Sequence, residues 1–166
     1  MEKNPESIPR AYAAACRLLA RREFTRAEME GRLKAKGFTE DTISATIDQL
    51  TADGFMSQRR CAESMAHELV VSRRLSDREA VERMRRKGLD EESARQEVRR
   101  HGETYAEADR ARDALVRKWP AWRDLDRQRR THRAYGFLLR RGFDPGVAFA
   151  AIEELESSGS ESGPLD

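Results

Sequence analysis

Aromatic residues make up only 7% of the 166-residue chain, and runs of alternating Val, Ile or Thr are missing. Both are signatures of sheet, so their scarcity predicts a helical protein. No apolar run approaches the ~20 residues that a membrane span requires. The Ala-rich stretch at 11–20 is interrupted by Cys16 and Arg17 and followed by Arg21 and Arg22. It lacks a signal-peptide core and is expected to form the first helix of a cytoplasmic protein. The two cysteines, Cys16 and Cys61, match no metal or redox spacing, as expected of small, partly buried residues in a reducing compartment. His67, His101 and His132 are scattered, and there is no His-Glu-x-x-His pattern, paired-cysteine motif or phosphate-cradling glycine loop. No metal, cofactor or catalysis is expected, because charged side chains alone do not make an active site.

What is abundant is charge. Charged residues reach 37%, against 38% hydrophobic, which predicts helices with narrow apolar stripes and broad solvated faces. The 32 basic and 30 acidic residues nearly cancel, so the placement of charge must carry any preference for nucleic acid.

One stretch sets the pattern, TRAEMEGRLKAKGFTEDTISATIDQL at 25–50. Thr25 and Glu28 have the spacing of a capping box, and Met29 and Leu33 share a helical stripe. Gly37 fits the left-handed position just past a helix end, with Leu33 and Phe38 placed for the contact of a Schellman motif. Thr39 caps a second helix, Glu40 and Asp41 suit its positive end, and Ile43, Ile47 and Leu50 form its apolar face.

The unit recurs. Gly37, Gly88 and Gly142 are spaced by 51 and 54 residues. Four positions earlier stand Leu33, Met84 and Leu138, and eight earlier Met29, Ala80 and Ala134. One position later come Phe38, Leu89 and Phe143; ten later come Ile47, Val98 and Ile152. Ser76 and Glu79 repeat the capping box, whereas the third copy has Arg130 at the cap position and an Asp144-Pro145 start to its following helix. The expected architecture is all-α and elongated, with about nine helices in three tandem helix-turn-helix-like repeats at 9–54, 55–102 and 103–156. Residues 1–8 are expected to be loose and 157–166 to form a disordered tail.

From Arg117 to Arg133 seven basic residues (Arg117, Lys118, Arg123, Arg127, Arg129, Arg130, Arg133) outnumber Asp124 and Asp126. Trp119 and Trp122 lie within this run. Such cations can neutralise phosphates and an indole can stack on a base, but the tryptophans serve equally well to seal the third repeat. Smaller basic groups are Arg59-Arg60, Arg73-Arg74, Arg85-Arg86-Lys87 and Arg140-Arg141. The last two also suit helix C-termini.

The strings LLARREFTRAEMEGRLKAKGF and FLLRRGFDPGVAFAAIEEL, with the three-unit layout, resemble the bacterial RecX regulatory family over about 10–156. The stretch 56–62 departs from it: MSQRRCA stands where the family usually has an acidic pair followed by an aromatic-Ala step. The resemblance implies a non-catalytic protein that binds the RecA recombinase filament on single-stranded DNA. Such proteins restrain filament extension, ATP hydrolysis, strand exchange and promotion of repressor self-cleavage, which places them in DNA repair and the SOS response. A monomer without membrane contact is expected, with the basic groups above facing the filament or DNA. Two other functions remain open. One is a duplex-DNA-binding helix-turn-helix regulator, disfavoured by acidic starts at Glu40-Asp41 and Asp90-Glu91-Glu92; the other is a purely protein-binding helical adaptor.

Overall fold

A computed structural model of the chain describes residues 7–160. Among these are nine α-helices and no strand: α1 (Ile8–Leu19), α2 (Arg26–Lys34), α3 (Glu40–Ala52), α4 (Gln58–Ala66), α5 (Asp77–Arg86), α6 (Glu91–Thr104), α7 (Glu107–Val116), α8 (Arg127–Arg140) and α9 (Pro145–Ser160). A π-helical segment, His67–Ser72, continues α4, and a 3-10 turn, Trp119–Trp122, follows α7. The all-α class is as the sequence predicts. The stretches read as loose and disordered lie mostly outside the described residues, but Ile8 and residues 157–160 are helical. In α9 the Ser157 and Ser158 hydroxyls bond back to Glu153 O and Glu154 O, the carbonyls one turn earlier.

The chain divides into two compact units, with the boundaries inside α4, α5 and α6. The first holds α1–α3, α4 as far as Met65, and Met84–Ala94. Its core comprises Phe24, Met29, Leu33, Ile43, Ile47, Leu50 and Met56. Helix α1 meets this core most closely through the small Ala11, Ala14 and Ala15, with Tyr12, Cys16 and Leu19 only partly covered. The small alanines let α1 approach its neighbours closely. The second unit contains Ala66–Arg83 and everything from Arg95. There α7–α9 enclose Ala111, Leu115, Ala134, Leu138, Phe143, Ala148 and Ile152. On α7, Ala108 is exposed, while Arg110 is fully buried.

The glycine stops are built alike. Gly37, Gly88 and Gly142 have φ of +86°, +91° and +87°. The N–H of Phe38, Leu89 and Phe143 reaches back to the carbonyl of Leu33, Met84 and Leu138. This is the backbone signature of the Schellman motif. The capping boxes diverge. Thr25 and Glu28 form both halves of theirs. Ser76 Oγ accepts from Glu79 N–H, but the Ser76 N–H donates to Arg141 O and Glu79 turns to Arg83. In the third copy Asp126 supplies the cap, accepting from Arg129 N–H.

Two of the glycines also bear on a helix start. A Cβ at Gly88 would lie 2.7 Å from Ala27 Cβ, and one at Gly142 would lie 2.5 Å from both Glu79 Cβ and Ser76 Oγ. Nothing stands within 4 Å of the same position at Gly37. Gly37→Ala is expected to cost about 1–2 kcal/mol for the left-handed backbone alone. Gly88→Ala and Gly142→Ala add the cost of overpacking, about 1–3 kcal/mol more. Urea denaturation of the three variants checks this, and equal losses at Gly37 and Gly142 would refute the steric part.

Candidate nucleic-acid interface

The site begins with an irregularity in α4. The chain widens to π-helical geometry, and Arg73 N–H bonds to Glu68 O, five residues back. Arg74 then takes φ +52°, the one positive value at a non-glycine among the described residues. Leu75 is buried and Ser76 caps α5. This turn brings Arg73 and Arg74 to one cavity of about 430 Å³ in the second unit. Arg83 of α5, Arg117 and Lys118 at the end of α7, and Arg141 after α8 join them around Leu75, Ala114 and Phe137. Among the described residues six cations thus line the cavity, and no acidic residue does.

Each cation is held differently. Arg73 pairs with Glu68 at 2.6 Å and Arg83 with Glu79 at 2.7 Å. Arg74 Nε donates to the Tyr105 hydroxyl at 3.1 Å, and that hydroxyl donates to Asp113 at 2.6 Å. Burial and Asp113 raise the Tyr105 phenol above its ordinary range, so it stays a protonated donor. Arg141 donates to Arg73 O and its guanidinium lies over the Phe137 ring at 4.7 Å. Burial, with Arg74 and Arg83 close by, lowers the affinity of Arg141 for its proton. Arg117 and Lys118 are exposed and have no ion-pair partner among the described residues. Like charges held this close, with carboxylates only behind two of them, favour an anion in the cavity.

The other basic residues singled out in the sequence are placed elsewhere. Arg60 pairs with Glu23 and donates to Gly54 O and Phe55 O, which fastens the turn after α3. Arg85 pairs with Glu91, and Lys87 with Glu28. Arg123 pairs with Asp124, Arg127 and Arg130 with Glu156, and Arg129 with Asp126. The 117–133 run is thus divided: its first two cations line the cavity and four others face carboxylates. Arg59, Arg86, Arg133 and Arg140 are exposed outside the cavity. Both tryptophans pack on the third-repeat core, with Arg130 over Trp119 at 5.3 Å and Trp122 edge-on to Phe137 at 5.8 Å.

Arg83 and Phe137 were not legible as site residues. Arg83 reads as half of an ordinary i,i+4 pair with Glu79, and Phe137 as a packing aromatic. His67 and His101, apparently scattered in sequence, are in ring contact with centroids 5.7 Å apart. Cys61 is buried, which pushes its thiol up to about 11 and keeps it unreactive.

The left-handed Arg74 offers a test. A non-glycine there costs about 1–2 kcal/mol of backbone energy, and such strain tends to be kept where a side chain has a task. Arg74→Gly is expected to leave thermal stability unchanged or slightly raised while weakening oligonucleotide binding. A stability loss above about 1 kcal/mol would instead make Arg74 a structural bolt to Tyr105.

The fold and sequence have relatives. The family model for the first three-helix domain of RecX matches residues 11–50, and that for the third matches 105–152. Among curated proteins, the regulatory protein RecX of Amycolatopsis mediterranei is 33% identical, covering 90% of this chain and 85% of that protein. The regulatory protein RecX of Thermobifida fusca is 31% identical over 95% of this chain and 85% of its own length. The crystal structure of RecX from Lactobacillus salivarius superposes with a TM-score of 0.70 at 20% identity, covering 90% of this chain and 96% of that one. A second RecX crystal structure gives 0.73 at 16% identity, over 89% of this chain and 73% of the other, so both establish the shared fold. With the two matched domains and relatives at this identity over most of their length, the chain belongs to the RecX family of regulatory proteins.

Proposed function

We propose that this protein restrains the RecA recombinase by binding its filament on single-stranded DNA, slowing filament extension, ATP hydrolysis and strand exchange. Family membership supports a regulatory role, and the convergence of Arg73, Arg74, Arg83, Arg117, Lys118 and Arg141 carries the nucleic-acid part. Guanidinium and ammonium groups around an acid-free cavity suit the phosphates of a strand, whose neutralisation releases counterions. The test is the rate of single-stranded-DNA-dependent ATP hydrolysis by the cognate recombinase, titrated with this protein. A fall at substoichiometric amounts is expected. An unchanged rate with folded, helical protein, at concentrations up to micromolar, would overturn the proposal.

A further inference from the structure

Four of the six cations of the same cavity have no carboxylate partner among the described residues. At about 430 Å³ it lies within the size range of small-molecule sites, about 300–1,000 Å³. Its Arg73 and Arg83 have carboxylate partners, whereas Arg74, Arg117, Lys118 and Arg141 have none in the cavity. In a nucleic-acid strand each phosphodiester carries one charge and a whole sugar separates it from the next. In a polyphosphate, neighbouring phosphates share one bridging oxygen, and a triphosphate brings about four charges into one compact group. The ring in the cavity, Phe137, already has the Arg141 guanidinium over a face and Trp122 in a T-shaped contact. The site is thus furnished to hold phosphate and has no open aromatic platform dedicated to a base.

We infer that the cavity bounded by the 72–75 turn, α5, α7 and α8 is a binding site for a compact polyphosphate group, supplied by a free nucleoside triphosphate or by inorganic tripolyphosphate. Where the strand occupies these cations, the polyphosphate displaces it, so the grip on DNA weakens as free polyphosphate rises. The displacement rests on the function proposed above; the polyphosphate site does not. The turn at Arg74 prepares the cavity, because Tyr105 holds its guanidinium and Arg141 ties the turn's carbonyls to the end of α8.

Calorimetric titration of the full chain tests this, with sodium tripolyphosphate, ATP and AMP in divalent-free buffer. One tripolyphosphate or ATP per chain is expected with a dissociation constant below about 1 mM, with AMP at least tenfold weaker. Arg117→Ala with Lys118→Ala should weaken triphosphate at least tenfold, and Lys36→Ala, an exposed lysine of the other unit, should not. Equal affinities for ATP and tripolyphosphate would identify phosphate as the whole ligand, whereas tighter ATP would show that the nucleoside adds contacts; both support the site. The inference is overturned if neither triphosphate saturates, if AMP binds as well as ATP, or if the double variant binds normally. A parallel anisotropy arm with labelled oligo(dT) separates the two claims. Oligo(dT) binding without any triphosphate binding would refute this inference and leave the strand interaction standing. Triphosphate binding without oligo(dT) binding would do the reverse, and joint binding without displacement would refute the competition.

Discussion

Arg110→Ala is expected to lower the unfolding free energy by about 2–5 kcal/mol, as when a large buried side chain is truncated and its hydrogen-bond acceptors lose their donor. Arg110 is completely buried on α7, in the second unit. Its guanidinium donates to Leu75 O and to Asp77 Oδ1, both at 2.6 Å. Glu107, whose carboxylate accepts from Asp77 N–H, stands 4.0 Å away. Burial already raises the Glu107 carboxyl above its ordinary range; the Asp77 N–H and Arg110 oppose this, and the Asp77 carboxylate adds to it. Removing the cation would strand the Leu75 carbonyl, leave the two carboxylates facing each other and open a cavity. Arg110→Met fills most of that volume and, because Asp77 is half-exposed, is expected to cost distinctly less. Urea denaturation of both variants decides it. A loss below about 1 kcal/mol in the alanine variant would mean that the buried cation does not hold the Leu75–Asp77 turn.

Arg117→Glu with Lys118→Glu produces the largest expected loss of nucleic-acid affinity. Both side chains are exposed and have no ion pair among the described residues, so reversing them should leave the melting temperature nearly unchanged. If each contacts a phosphate, the dependence of log affinity on log salt flattens by about 1.4, at ~0.7 per phosphate on a single strand. Affinity at low salt should fall at least tenfold, or about 1.4 kcal/mol. Arg127→Glu with Arg129→Glu is the comparison, since those cations face Glu156 and Asp126 and should matter less. Anisotropy of labelled oligo(dT) across a salt series measures both. Equal losses for the two pairs would remove the cavity from the interface and return the binding to diffuse charge.

The fold was largely legible because its determinants are local. A glycine past a helix end, an apolar residue four positions before it and another just after depend only on neighbours along the chain. Leu33, Met84 and Leu138 are accordingly fully buried, as are Met29, Ala80 and Ala134. Charge was less legible. A basic run in sequence says nothing about which carboxylates fold back onto it, and Glu156, far along α9, takes up Arg127 and Arg130. Arg110 gave no sign of burial because its acceptors lie on a turn more than thirty residues away.

The sequence by itself determined an all-helical chain, its three glycine stops and the apolar positions around them, since each follows from residue type and short-range spacing, while its kinship with RecX proteins rested on resemblance along the chain. Only the tertiary structure decided which cations meet. Arg73, Arg74, Arg83, Arg117, Lys118 and Arg141 come from four separate segments, and their convergence depends on a π-helical turn and a left-handed arginine that no local pattern announces.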